Sequence, residues 1–210
     1  PDTLLKNIEQ GAKVLNIEVE NFRKLCFSQP SILKFKTETL LSRAKDNAQI
    51  LGLTSKEFIE TAQKAAFILT RSTEVVQEFK RVLEDDLDLS EEQIRKIILS
   101  RPKILSSNPQ TILSNIDTLA HNMKSERKIV AQSAYKFSPL FYLDPTTIAL
   151  RQKNISSQLD IPTEILYAAY LRSPTLFSRT SEPFIKKIRL TQRIARICGE
   201  NPSFSDIITS

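Results

Sequence analysis

One motif recurs along this chain about every 36 residues, and that recurrence restricts the fold more than any other feature. Its clearest copy runs from Leu87 and Leu89 through Ser90, Ile94, Ile97 and Ile98 to Pro102, Ile104 and Leu105. With Pro102 as the marker, the frame returns as Leu15, Ile17, Pro30, Ile32 and Leu33, and as Leu51, Leu53, Ala66, Ile68 and Leu69. It returns again as Pro139, Phe141 and Tyr142, and as Leu159, Ile161, Pro174, Leu176 and Phe177. The markers fall at 30, 66, 102, 139 and 174, a step of 35 to 37 residues. Repeats of this length build solenoids, because one unit cannot bury its apolar face alone and stacked units share a core. The expectation is an all-α solenoid forming a single helical-repeat domain over residues 1–210. Its repeats span 15–50, 51–86, 87–122, 123–158 and 159–199, with partial repeats at 1–14 and 200–210.

Within a repeat the pattern predicts a helix A, a tight turn and a helix B. Thr54 with Glu57, and Ser90 with Gln93, fit the box in which a hydroxyl and a longer side chain satisfy each other's free amides. Pro162 holds the corresponding start in the last repeat. Apolar residues follow at helical spacing: Phe22, Leu25 and Cys26, then Phe58, Ile59, Ala62 and Ala66, then Ile94, Ile97 and Ile98. The last two sets are Ile129, Ala134 and Phe137, and Ile165, Ala169 and Tyr170. The marker proline ends helix A, and the apolar pair behind it is predicted on a 3₁₀ turn. Helix B starts at Asn108-Pro109 and Asp144-Pro145, with Ser72 and either Thr37 or Ser181 as caps elsewhere. Its stripe is Ile112, Ile116 and Leu119, and later Phe184, Ile188 and Ile194. Leu4, Leu5, Ile8 and Ala12 give the first 14 residues one apolar helical face. The aromatics Phe22, Phe27, Phe58, Phe67, Phe137, Phe141, Tyr142 and Phe177 all fall on the apolar pattern, which places them in the core rather than on a base-stacking platform.

The stretches Leu87-Asp88-Leu89-Ser90 with Ser100-Arg101-Pro102-Lys103-Ile104-Leu105, and Leu159-Asp160-Ile161 with Arg172-Ser173-Pro174-Thr175-Leu176-Phe177, resemble the mitochondrial transcription termination factor (mTERF) family. The resemblance spans about residues 1–199. It implies a right-handed solenoid of helix–helix–3₁₀ units and a basic groove for double-stranded nucleic acid. It also implies a role in organellar transcription, translation or ribosome assembly without a catalytic site. A eukaryotic member would work in a mitochondrion or another organelle, a bacterial one in the cytoplasm or a host cell. Three features depart from the family pattern. The glycine before the next repeat is confined to Gly52 and Gly199, Ala66 replaces a proline, and His121-Asn122-Met123 stands where the Leu-x-Leu belongs.

Net charge is +6, which suits a polyanionic partner. Residues 82–93 carry six acids and no base, whereas residues 167–199 carry seven bases against Glu182 alone. Bases also gather at the ends of the predicted A helices and in the tight turns, so one site can recur in each repeat and follow a phosphate backbone. The expected nucleic-acid contacts are Arg23, Lys24, Lys64, Arg71, Arg95, Arg101, Lys103, Lys136, Arg172, Arg179, Lys186 and Arg189. Arg101, Arg172 and Arg179 are the candidates for reading base edges. Helix pairs about 10 Å apart would give five units a span of about 50 Å, or about 15 base pairs of duplex. Duplex DNA is the favoured partner, RNA a second possibility, and a protein-interaction scaffold the rival class. A monomer is expected.

With three glycines and no Walker loop, CxxC or HExxH motif, the chain offers no nucleotide, redox or zinc-protease signature. His121 is the single histidine and has no acid or thiol at a motif spacing. No enzyme, metal or cofactor is expected. Cys26 and Cys198 read as buried reduced thiols, and no run of about 18 apolar residues predicts a membrane span.

Overall fold

The computed structural model describes residues 2–178, 181–199 and 207, and among them it contains α-helices, 3₁₀ turns and no strand. The protein is an all-α helical-repeat protein. It divides into two compact units, residues 1–111 and 112–210.

The first unit contains α1 (Asp2–Leu15), α2 (Val19–Ser28), α3 (Thr37–Ile50), α4 (Ser55–Lys64), α5 (Thr73–Arg81), α6 (Glu91–Ser100) and the start of α7 (Pro109–Asn122). Helices α2, α4 and α6 are A helices and pack in succession; α1, α3 and α5 are B helices and do the same. The second unit contains the rest of α7, then α8 (Arg127–Lys136), α9 (Pro145–Leu159), α10 (Thr163–Arg172) and α11 (Ser181–Ile197). There α8 packs on α10 and α9 on α11.

The repeat is set by a left-handed backbone residue after each of the first five B helices: Asn16, Gly52, Asp88, Lys124 and Asp160, all with φ between 50 and 65°. These five lie 36 residues apart throughout. Each ends its helix by a reversal in which the next residue's amide bonds back to the helix, as Ile17 N does to Ala12 O and Leu53 N to Ala48 O. This position is therefore the x of the Leu-x-Leu signature, and it accounts for the scarcity of glycine. Asparagine and aspartate tolerate the left-handed region better than other side chains do. Lys124 is the costly member. Replacing Lys124 with glycine should raise the unfolding free energy by about 0.5–1 kcal/mol in a denaturant titration, since relief of the backbone exceeds the loss of an exposed ion pair to Glu164. A loss of stability would show that the left-handed turn imposes no strain here.

Counting from this residue corrects the fourth repeat. Its first apolar position is the buried Met123, not His121, and Ser125 occupies the second. The 3₁₀ turns begin at Pro30, Ala66, Pro102, Ser138 and Pro174, so the fourth marker is Ser138 and Pro139 lies one residue past it. The apolar pair there is Leu140 and Phe141, both fully buried, while Tyr142 is exposed. The residue before each marker (Gln29, Ala65, Arg101, Phe137 and Ser173) leaves the helix at φ −126 to −150° and ψ 62 to 82°. Its amide still bonds the carbonyl four residues back. Ala65 adopts this geometry before Ala66, so the turn does not depend on proline.

The buried face of helix A follows the same count. Phe22, Phe58, Ile94, Val130 and Leu166 hold one position, and Cys26, Ala62, Ile98, Ala134 and Tyr170 another, all buried. Ile129 and Ile165, expected inside, precede this stripe by one residue and are exposed. Between the two positions lie Thr61 and Ser133, whose hydroxyls donate to the carbonyls of Glu57 and of Ile129 and Leu171. Buried polar groups are tolerated when bonded in this way. Ile8 and Ala12 of α1 are buried, but Leu4 and Leu5 are exposed. Gly11 faces Phe22, and a Cβ there would lie 2.3 Å from the ring, so α1 and α2 cross at a separation that only glycine permits.

The caps at Thr54 and Ser90 form with Glu57 and Gln93 as expected. The backbone and hydroxyl of Thr54 hold the Glu57 carboxyl below its ordinary range. Asn108 and Asp144 accept from the amides of Gln110 and Thr146. At α3 the cap position is Lys36 rather than Thr37, and it forms no side-chain bond. Pro162 holds the cap position of α10, equivalent to Thr54 and Ser90 as expected, without a side-chain bond. Ser181 begins α11, but its side chain lies outside the described residues. The last turn of the third B helix widens to a π-turn at Val82–Asp86, which the periodicity did not indicate.

Candidate nucleic-acid interface

The left-handed residues give each base a place in the repeat. Lys64, Lys136 and Arg172 occupy one position, the last residue of helices α4, α8 and α10. All three are exposed. The third repeat has Ser100 there and carries its base on the next residue, Arg101, followed by Lys103 in the 3₁₀ turn; both are exposed. A base thus ends α4, α8 and α10 at the same repeat position, while α2 and α6 end in Ser28 and Ser100.

Other expected contacts have work inside the fold. Arg71 Nη2 donates to Ser106 O at 2.6 Å, and its guanidinium lies 6.0 Å from the Phe67 ring. Arg95 of α6 pairs with Glu57 of α4. Lys64 Nζ reaches Leu99 O, near the end of the following A helix, at 3.5 Å. In these joints a cation on one repeat meets a carbonyl or carboxylate on its neighbour. The cation Arg43 and the neutral amide Asn47 also bridge to the next repeat without being singled out by the charge pattern. Arg43 donates to Thr70 O and Asn47 to Arg71 O. The signal that could have found them is register: each lies on a B helix facing the next repeat's turn.

Arg23 is exposed and 3.9 Å from Glu20. Lys186 pairs with Glu182 at 2.8 Å, and Arg189 donates to Gln158 O at 2.9 Å, so neither is a free cation. Lys24, Arg101, Lys103, Lys136 and Arg172 are exposed and form no ion pair with another described residue. Arg179 lies outside the described residues. The acidic run is partly neutralised by α5, where Lys80 approaches Glu84 and Glu91, and Arg81 binds Glu78 and Asp86.

Phe27 corrects the expectation for the aromatics. It is 89% exposed at the end of α2, three residues from the marker, because the buried stripe passes through Leu25 and Cys26 instead. Phe22, Phe58 and Phe141 are in the core, Phe67 and Phe137 are half-buried, and the Phe177 side chain lies outside the described residues. Cys26 is buried, which pushes its thiol pKa up, whereas Cys198 is exposed, contrary to expectation. His121 is exposed. Among the described residues no group of three acids, histidines or cysteines could hold a metal, and no helix is long and apolar enough to cross a membrane.

The family model described as mTERF matches residues 1–139, two thirds of the chain and all of the first unit. The chain belongs to the mTERF family. It is thus a helical-repeat member of a nucleic-acid-binding family. Comparison with curated proteins yields no match. Within this mTERF chain the matched region includes Arg101, Lys103 and Lys136, while Arg172 lies beyond it.

Proposed function

We propose that this mTERF protein binds duplex DNA through cations at the ends of its A helices and in its 3₁₀ turns, and that it acts in transcription termination or regulation without catalysis. One observation carries this reading: in the second unit Lys136 and Arg172 share a single repeat position, and in the first Arg101 and Lys103 adjoin the equivalent one, all exposed and without an ion pair to a described residue. Cations spaced by a repeating backbone suit a repeating phosphate chain, and such contacts position a duplex without specifying its sequence. A protein scaffold finds less support, because Lys80 and Arg81 already answer several of the acids that could serve it.

A labelled random duplex of about 25 base pairs, titrated across salt beside single-stranded RNA of equal length, tests the reading. With about five open cations engaged, the logarithm of affinity should fall with that of salt at a slope of about −4 to −5. Tighter binding of the RNA would reassign the ligand, and no binding to either at low salt would favour the scaffold.

A further inference from the structure

Helix α11 is apolar on two faces, and the fold accounts for one. Phe184, Ile185, Ile188 and Ala195 are buried, with α9 packed against this helix. Leu190, Ile194 and Ile197 are 58, 52 and 77% exposed, at a spacing of four and three residues that places them in one ridge. A helix apolar on both sides is ordinarily enclosed. The ridge is flanked by the exposed cations Lys186 and Arg193 on one side and Lys187 on the other. Within α11 the only acid is Glu182, which is taken by Lys186.

This pattern does not suit a phosphate backbone, which offers nothing to three large aliphatic side chains. It does suit a second helix whose own apolar stripe packs on the ridge while acidic residues on its flanks meet Lys187 and Arg193. A second copy of this chain is a poorer occupant. The exposed leucines of α1, Leu4 and Leu5, are accompanied by Lys6, Glu9 and Lys13, which supply little negative charge. We propose that the Leu190–Ile194–Ile197 ridge is a docking site for an acidic amphipathic helix of a protein partner. The site is independent of the duplex-binding reading, since none of the three side chains belongs to that surface.

The test uses the full chain and three fluorescent synthetic helices with identical backbones. One carries a leucine stripe flanked by glutamates, one the same stripe flanked by lysines, and one serines in place of the leucines. The glutamate-flanked peptide should bind at least about tenfold more tightly than either other peptide. Leu190→Ser combined with Ile194→Ser should weaken it by about tenfold or more while leaving duplex affinity and helical content unchanged. Ile197→Ser alone should give a smaller loss in the same direction, and it serves if the double variant melts early. Equal binding of the glutamate- and lysine-flanked peptides, or undiminished binding to both variants, would overturn the proposal. So would wild-type self-association in sedimentation that the variants abolish, which would assign the ridge to a second copy. Uptake by anionic vesicles without peptide binding would assign it to a lipid surface.

Discussion

Leu105→Ala should lower the unfolding free energy by about 2–5 kcal/mol, the usual range for truncating a buried leucine. Pro102→Ala should lower it by about 1 kcal/mol or less. Leu105 is 4% exposed and Ile104 is fully buried, and the turn they share packs on α6, on α4 and on the preceding 3₁₀ turn. Removing three carbons there leaves a cavity whose cost grows with the volume that the neighbours fail to fill. Pro102 contributes chiefly by restricting the unfolded chain. The folded turn forms equally from Ala66, with Ala65 in the same backbone conformation as Arg101. Urea denaturation followed by far-ultraviolet circular dichroism measures both. Equal losses, or a larger loss for the proline, would mean that proline rather than apolar burial specifies the turn.

The second large effect is on binding. Arg101→Glu together with Arg172→Glu should reduce duplex affinity by about 10- to 100-fold at moderate salt and flatten the salt slope by about 2, with no change in melting temperature. Both side chains are exposed and without an ion pair to a described residue, so reversal costs the fold nothing and places carboxylates where phosphates are expected. Adding Arg179→Glu, at the third residue first assigned to base reading, should deepen the loss. Arg71→Gln is the contrasting change. It removes the bond to Ser106 O and should lower stability while leaving the salt slope nearly intact. Unchanged affinity in the double reversal would sink the proposed surface.

The order of A helix, 3₁₀ turn and B helix was legible in the sequence because each boundary depends on neighbours within four residues. The boxes at Thr54 and Ser90 and the caps at Asn108 and Asp144 are set by local hydrogen bonds, and the structure contains all four. The fourth repeat was misplaced by one residue because Pro139 is a stronger signal than Ser138. The position that keeps register is marked by backbone conformation, which Asn16, Asp88, Lys124 and Asp160 adopt without glycine. That one-residue difference exchanges Tyr142 for Leu140 in the core pair.

Local chemistry in the sequence therefore determined the 36-residue repeat, its helices and turns, and the concentration of bases at the ends of the A helices. The tertiary structure alone decided which of those bases remain open. Arg71 and Arg95 find their partners 35 and 38 residues away, on adjoining repeats, while Arg101 and Arg172 find none among the described residues. Packing likewise left Phe27 and the α11 ridge exposed despite their apolar pattern. Periodicity specifies which side chains share a helix face, but only the neighbouring helix determines whether that face is covered.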